Sequence, residues 1–214
     1  MRRDSTAQRE PRADVDLSAF PGRGLTAGST WFRAHRAEHG PWFFASGGGR
    51  FDLPSPRGTC YLAASPETAA REVVGPDLAR SGRVPAPLVE GRVVSSLSLP
   101  QSARLARLTS SGALRFGVIG SELAAAVTYD LSQTWASAFA SAGWAGLWYA
   151  PRFSGAHARA VALFGDAGAQ DWPPDPAPTP LAEVVAGMLD LHVIRTPTRL
   201  SELTVLDEPC LLYT

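Results

Sequence analysis

The stretch GTCYLAASPETAAREVVG, residues 58–75, decides the fold expected for this chain, because an apolar strand-like segment leads through Ser65 and Pro66 directly into a helix. Ser is a preferred N-cap, and Pro suits the first helical position, where no backbone donor is needed. Gly75-Pro76 is expected to end the helix, since glycine permits a left-handed cap and proline cannot continue the helical hydrogen bonds. The sequence therefore predicts a strand, a tight turn and a short helix in direct succession.

Glu72 lies at the margin of the apolar face of this helix, which is formed by Ala69, Ala70, Val73 and Val74. The positions three and four residues from Glu72 hold no cation that could pair with it. It is either a surface carboxylate, solvated or paired with a distant Arg, or a functional carboxylate in a cleft. Tyr61 ends the preceding strand and could face the same cleft, although an isolated strand Tyr is more often a core residue.

Two upstream segments offer cations to such a cleft. TWFRAHR, residues 30–36, sets Arg33 among aromatic residues, and GGGRFDLPSPRG, residues 47–58, is a glycine-rich loop that carries Arg50 and Arg57. Glycine lets backbone N–H groups approach an anion, and Arg binds phosphate in a bidentate manner. The loop is either an anion-binding segment or a plain surface connection.

The composition excludes several classes of function. The 20 basic residues balance the 20 acidic ones, so no net field favours nucleic acid or an anionic membrane. All 20 basic residues are Arg, which excludes a Walker-type phosphate loop, Schiff-base catalysis and pyridoxal phosphate chemistry, because each of these needs Lys. No apolar run approaches the roughly 20 residues of a membrane span, and no leader is recognised, so we expect a soluble cytoplasmic protein.

A metal site is not expected. Cys60 and Cys210 are too few for a disulfide scaffold or a cysteine-rich zinc site, and Cys60 is interpreted as a small core residue. His35 and His39 share a four-residue spacing, but HRAEH lacks the Glu of the zinc-protease motif HExxH. We interpret these two histidines as loop residues, and His157 and His192 are isolated in the sequence.

The chain divides into three parts. Residues 1–16 are polar and predicted to form a disordered arm, residues 17–166 form the main domain, and residues 167–214 form a proline-rich connector with a C-terminal helix and strand. Within residues 181–191, a helical stripe predicted to be core is formed by Leu181, Val184, Val185, Met188 and Leu189.

The main domain is predicted to be α+β, with mixed, mostly antiparallel small sheets flanked by short helices, because strands and helices alternate irregularly. The strand candidates are residues 30–34, 59–63, 91–97, 146–150 and 159–164. A second helix is predicted from Ser132 to about Ala142, capped by Ser132 and closed by Gly143, with Trp135 and Phe139 facing the core. The last two strand candidates are expected to be antiparallel neighbours.

Taken in order, these segments resemble the RES domain family. The likeness covers about residues 33–164 and rests on Arg33, GGGRF (47–51), CYLAASPETAAREVV (60–74), YDLSQTWASAFASAGWAGLWYAPR (129–152) and AVALF (160–164). The resemblance implies a fold like that of ADP-ribosyltransferases. It further implies a bacterial toxin that consumes NAD as its substrate, without a metal, usually beside a neutralising antitoxin.

The resemblance also assigns site residues. Arg33 matches the family Arg and Glu72 the Glu of the helix. Tyr61 matches the Tyr that ends the strand, and Arg50 the Arg of the glycine-rich segment. Glu72 would stabilise the oxocarbenium character that develops on the ribose, while Arg33 and Arg50 would hold the pyrophosphate and Tyr61 would supply a flat wall.

The family Ser is replaced in this chain. The Ser-Arg pattern that follows a glycine aligns with Pro151-Arg152, and proline has neither a side-chain donor nor a backbone N–H. Arg152 and the nearby hydroxyl of Ser154 are the candidates to complete the NAD site.

Three functions stay open on this basis. The first is an enzyme that cleaves the nicotinamide–ribose bond of NAD as a glycohydrolase or phosphorylase. The second is a mono-ADP-ribosyltransferase that modifies a cellular protein. The third is a catalytically weakened module that binds NAD or a partner, as the substitution by Pro151 suggests.

Overall fold

The computed structural model describes residues 8–126, 128–188, 191 and 193–194. The strands are β1 (Gly22–Leu25), β2 (Thr30–Arg36), β3 (Phe43–Phe44), β4 (Arg57–Ala63), β5 (Val84–Pro85), β6 (Arg92–Ser98), β7 (Ala103–Arg107), β8 (Gly146–Tyr149), β9 (Ala160–Asp166), β10 (Gly168–Ala169), β11 (Thr179–Pro180) and β12 (Val193–Ile194). The α-helices are α1 (Pro66–Ser81), α2 (Ala86–Val89), α3 (Gly120–Ala125), α4 (Asp130–Ser141) and α5 (Leu181–Ala186).

Eight strands form one sheet in the order β1-β7-β8-β9-β4-β2-β6-β11. Neighbouring strands are antiparallel except β7 and β8, which are parallel. All five predicted strands belong to this sheet, and β8 and β9 are antiparallel neighbours as predicted. The α+β class is confirmed, with most strands gathered into one large sheet accompanied by the small pairs β3 with β10 and β5 with β12.

The helix α1 begins as predicted but ends later than predicted. The Ser65 hydroxyl accepts a hydrogen bond from the backbone N–H of Thr68 at 3.2 Å, which is the expected N-cap. The prediction that Gly75-Pro76 ends the helix is wrong, because the helix continues to Ser81 and is followed by Gly82, whose φ of 68° makes the left-handed cap. Gly75 serves packing instead, since a Cβ there would lie 2.2 Å from the ring of Phe153.

The helix α4 starts two residues earlier than predicted. Ser132 does not cap it; this residue is fully buried inside the helix, and its hydroxyl donates to the carbonyl of Leu123 at 3.3 Å. Gly143 follows the helix with a φ of 86°, and Trp135 and Phe139 are buried as predicted.

The two ends of the chain pack onto the domain where the structure describes them. Gln8 is 4% exposed, and its backbone N–H donates to the Glu122 carboxylate at 2.7 Å. Gln8, which belongs to the arm that composition predicts to be disordered, therefore packs onto the domain. In the C-terminal part, α5 is shorter than the predicted helix, but Leu181, Val185 and Met188 are buried in the core as predicted. Leu189, His192 and Cys210 lie outside the described residues.

The core leaves a gap on one face of the sheet. Trp135 and Phe139 of α4 pack over β8 and β9 in one apolar cluster, while α1 and α5 pack over β2, β4 and β6 in another. The opposite face of the central strands is covered by a third cluster that includes Trp31 and Trp148. The candidate site lies between α1 and α4, where neither helix covers the sheet. Within the described residues, no helix has the length and apolar character that a membrane span requires.

Candidate functional site

A cavity of about 330 Å³ occupies the gap between the two helix clusters. This volume falls within the range of small-molecule sites. Arg33, Arg50, Tyr61 and Glu72 all line it, although they come from β2, the glycine-rich loop, β4 and α1. The other lining residues are mostly apolar or aromatic: Phe32, Ala34, Phe51, Leu62, Ala63, Ala69, Val73, Pro76, Tyr129, Tyr149, Phe153 and Ala160.

Glu72 presents a largely buried carboxylate to this cavity. Its Oε1 accepts a hydrogen bond from the backbone N–H of Phe153 at 3.1 Å. Burial raises the pKa of Glu72, and this effect is opposed by the Phe153 N–H and by the positive charges of Arg50 and Arg152. The carboxylate that lacked a local cation in the sequence therefore faces two cations brought from distant segments.

Arg50 provides a cation that is not fully used by the protein. Its Nε is buried and forms no hydrogen bond with any residue that the structure describes. Its guanidinium carbon lies 5.4 Å from the centroid of the Tyr129 ring, which is a cation–π contact at the mouth of the cavity. A buried polar donor without a partner is costly unless a ligand completes it.

Backbone N–H groups of the glycine-rich loop bind a carboxylate of the protein itself, that of Asp52. Oδ2 of Asp52 accepts hydrogen bonds from Gly48 N–H at 3.0 Å and Gly49 N–H at 2.6 Å. A Cβ at Gly49 would lie 2.6 Å from Oδ1 of Asp52, so only glycine fits this close approach. The N–H groups of Gly48 and Gly49 are therefore already bound by the buried carboxylate of Asp52.

Tyr61 joins this loop to the sheet. Its hydroxyl donates to Oδ1 of Asp52 at 2.7 Å and accepts from the backbone N–H of Phe51 at 2.8 Å. Burial raises the pKa of Tyr61, and the neighbouring Asp52 carboxylate raises it further. The residue lies within β4, which continues to Ala63, rather than at the end of the strand. Its hydroxyl is engaged by the loop, which leaves the ring as the surface that it can offer to a ligand.

Arg33 lies where β2 and β4 share a single register pair, Phe32 with Ala63. Its Nη1 donates to the carbonyl oxygens of Pro41 at 2.6 Å and Phe43 at 2.8 Å, and to the Sγ of Cys60 at 2.9 Å. These hydrogen bonds use only Nη1, and the guanidinium has further donors on Nε and Nη2. Arg33 is therefore both a support for the segment before β3 and a cation in the cavity wall.

Cys60 and the histidines do not form a metal site in the described part of the chain, which holds no group of three or more His, Cys, Asp or Glu suited to an ion. Cys60 is fully buried, as predicted, and burial raises the pKa of its thiol to about 11. The prediction that His35 is a loop residue is wrong, since it belongs to β2 and its Nε2 lies 2.8 Å from the Ser95 hydroxyl.

Comparison with known proteins identifies the family. The RES domain model matches residues 30–183, which is well over half of the chain. This chain belongs to the RES domain family. Searching the curated proteins gives no match.

A solved structure supports the fold of this RES domain. A chain of the crystal structure of the M. tuberculosis MbcT–MbcA toxin–antitoxin complex superimposes with a TM-score of 0.52 at 13% sequence identity. The similarity covers 75% of this chain and 89% of that chain. At this identity the likeness concerns the fold alone.

In the segment after β8, Arg152 and Ser154 do not line the cavity, although the sequence predicts that they complete the site. Pro151, which the sequence resemblance aligns with the family Ser, is buried, and the Arg152 side chain is exposed with its guanidinium carbon 5.2 Å from the Phe153 ring. The Ser154 hydroxyl is buried without a hydrogen-bond partner among the described residues, and neither Arg152 nor Ser154 lines the cavity. Arg152 acts on the site through its charge near Glu72.

Sequence reasoning missed the aromatic walls of the RES domain site. Tyr149 is buried at the end of β8, and burial together with the nearby Glu72 carboxylate raises the pKa of its phenol. Phe51, Tyr129 and Phe153 complete these walls. Tyr149 reaches the cavity through the pairing of β8 with β9, which sets it opposite Ala160, and no local sequence signal marks it as a cavity residue.

Proposed function

We propose that this RES domain binds NAD in the cavity between α1 and α4 and cleaves its nicotinamide–ribose bond. The observation that carries the proposal is the buried Glu72 carboxylate in the same cavity as the buried, unpartnered Nε of Arg50. A negative group that can stabilise a cationic transition state thus faces donors suited to a phosphate. Membership of the RES family supports the same reaction class.

Glu72 has the central role in the proposed reaction. When the bond between nicotinamide and ribose breaks, nicotinamide leaves with the electron pair and the ribose develops oxocarbenium character. The Glu72 carboxylate, fixed by the Phe153 N–H, lies in a site where the low dielectric strengthens its interaction with this positive charge. Charge stabilisation by a preorganised carboxylate is therefore the contribution expected from this chain.

The remaining residues orient the dinucleotide. The free donors of Arg33 and Arg50 suit the pyrophosphate, and the rings of Tyr61 and Tyr149 suit the flat faces of nicotinamide and ribose. The phenol of Tyr149 stays protonated at neutral pH, so it can donate a hydrogen bond inside the cavity. The acceptor that attacks the anomeric carbon is water, phosphate or a protein side chain.

A second candidate function is NAD binding without turnover. The observation that favours it is Pro151, which is buried at the position of the family Ser and supplies no donor. In that case a Pro151→Ser variant would gain nicotinamide release.

An NAD assay decides between these candidates. Purified protein incubated with NAD is expected to release free nicotinamide, with products identified by mass with and without phosphate. ADP-ribose indicates hydrolysis, ADP-ribose 1″-phosphate indicates phosphorolysis, and ADP-ribose attached to protein indicates transfer. Saturable NAD binding without nicotinamide release would favour the binding module and contradict the proposed enzyme.

The pH dependence follows from Glu72. Because the ionised carboxylate is the active form and its pKa is raised by burial, nicotinamide release should decline on the acid side with a midpoint above 4.5, the ordinary Glu value. Measuring kcat from pH 4 to pH 8, with folding followed by circular dichroism at each pH, checks this. If the midpoint of the acid-side decline in kcat lies at or below 4.5 while the protein remains folded, Glu72 is not the group whose ionisation controls the reaction.

A protein partner is also proposed. The structural neighbour comes from a toxin–antitoxin complex, and the resemblance to NAD-consuming toxins implies a neutralising protein. We therefore expect a cognate antitoxin for this chain, and a surface around the cavity mouth is the natural place for it to act.

A further inference from the structure

A second cavity of about 430 Å³ adjoins the first. The two cavities share Arg33, Ala34 and Val73 as lining residues, so they meet at these three residues. The residues that line only the second cavity are His35, Arg36, His39, Gly40, Phe43 and Arg92.

Two of these residues make an unfavourable pair in the protein alone. Arg36 and Arg92 are register partners on the antiparallel strands β2 and β6, so like charges stand directly opposite each other. Glu38 lies 3.6 Å from Arg36 in an exposed ion pair and 3.9 Å from His39. Among the described residues, no carboxylate lies within ion-pair distance of Arg92. The Arg92 guanidinium thus has no carboxylate partner in the described structure, and Arg36 has only the exposed Glu38, which favours binding of an added anion.

The rest of the cavity wall is suited to a flat ring. The Phe43 side chain is 46% exposed, which is unusual for an aromatic residue of this fold, and Ala34 and Val73 add apolar surface beside it. His35 adds no charge at neutral pH, because burial and the nearby Arg33 lower its pKa. The cavity therefore combines an aromatic surface with two fixed positive charges.

We propose that the second cavity binds the adenosine end of the dinucleotide, with the adenosine-side phosphate between Arg36 and Arg92 and the base against Phe43. The nicotinamide-side phosphate of the same pyrophosphate stays with Arg33 and Arg50. This inference rests on the proposed function, since it extends the NAD site across Arg33 into the neighbouring cavity. The planar guanidinium groups match phosphate oxygens in a bidentate manner, and an anion between them removes their mutual repulsion. Free phosphate and a nucleotide would both bind the two guanidinium groups. Only a nucleotide has a base that can also contact Phe43.

The test uses calorimetric titration of the full chain with ADP, with inorganic phosphate and with nicotinamide mononucleotide. Arg36→Gln and Arg92→Gln are each expected to weaken ADP binding about tenfold or more, because each removes charge-assisted hydrogen bonds to phosphate. Phe43→Ala should weaken ADP but not inorganic phosphate. Arg107→Gln, an exposed Arg at the end of β7 outside both cavities, is the matched control and should bind ADP like the unaltered protein.

Thermal unfolding separates binding from folding. Each Gln substitution removes one of two opposed like charges, so the melting temperature without ligand should stay the same or rise. ADP binding unchanged in Arg36→Gln, Arg92→Gln and the double variant would overturn the proposal. If ADP binding depends on both Arg residues but no nicotinamide is released, the second site is supported and the proposed cleavage reaction is contradicted. Inorganic phosphate that binds as tightly as ADP, with no effect of Phe43→Ala, would overturn the adenosine assignment.

Discussion

Glu72→Gln is expected to lower kcat for nicotinamide release by about 10²–10³-fold, the usual loss when one preorganised electrostatic group is removed from an active site. The amide keeps the size of the side chain and can still accept the hydrogen bond from the Phe153 N–H, but it carries no charge to oppose the developing oxocarbenium ion. Because the interaction strengthens only in the transition state, KM for NAD should change little. Steady-state kinetics with nicotinamide detection measures both parameters.

Glu67→Gln is the matched control for this experiment. Glu67 belongs to the first turn of the same helix, is exposed and lies outside the cavity. It should retain the kcat of the unaltered protein. Turnover by Glu72→Gln at the rate of Glu67→Gln would show that the carboxylate at position 72 does not take part in the reaction.

Although Glu72→Gln should be less active than the unaltered protein, we expect it to be at least as stable. Because the folded state raises the pKa of Glu72, the stabilisation from its protonated form is complete below the ordinary value and is lost as the pH rises through the folded value. A neutral amide does not undergo this loss. At pH 7 the variant should therefore unfold at the same urea concentration as the unaltered protein or at a higher one.

Elements that are determined by neighbouring residues can be predicted from the sequence. The cap formed by Ser65 and the first-turn Pro66 place the start of α1, because both act through adjacent backbone groups. Four of the residues that line the cavity, Arg33, Arg50, Tyr61 and Glu72, are indicated together only by the ordered resemblance to the RES family, since their spacing in sequence does not show that they meet.

Other features depend on contacts between distant segments, and a sequence alone does not reveal them. Gly75 looks like a helix end, but its missing side chain accommodates Phe153, which lies 78 positions later in the chain. The glycine-rich loop looks like a phosphate cradle, but Asp52, only a few residues away, fills it. The strand β7 has few strand-forming residues and is held by its pairing with β1 on one side and β8 on the other.

Asp52→Ala is expected to lower the free energy of unfolding by about 3 kcal/mol, because it removes a buried carboxylate and leaves the Tyr61 hydroxyl and the N–H groups of Gly48 and Gly49 without their acceptor. Urea unfolding measures this loss. Asp166→Ala, which removes an 89% exposed carboxylate, is the matched control and should change stability by about 0.5 kcal/mol or less.

The same variant tests whether this network positions Arg50 for catalysis. The loop is held on one side by Asp52 and Tyr61 and on the other by Gln133, whose Nε2 donates to the Gly49 carbonyl at 2.8 Å. Tyr61→Phe removes the hydrogen bond to Asp52 and the acceptor of the Phe51 N–H but leaves both glycine N–H groups bound, so it should cost about 1–2 kcal/mol and raise KM for NAD only modestly. Asp52→Ala, assayed at a temperature where it is folded, should raise KM more strongly because the whole Arg50 loop loses its anchor. Equal KM values for Asp52→Ala and the unaltered protein would show that Asp52 stabilises the fold without positioning Arg50.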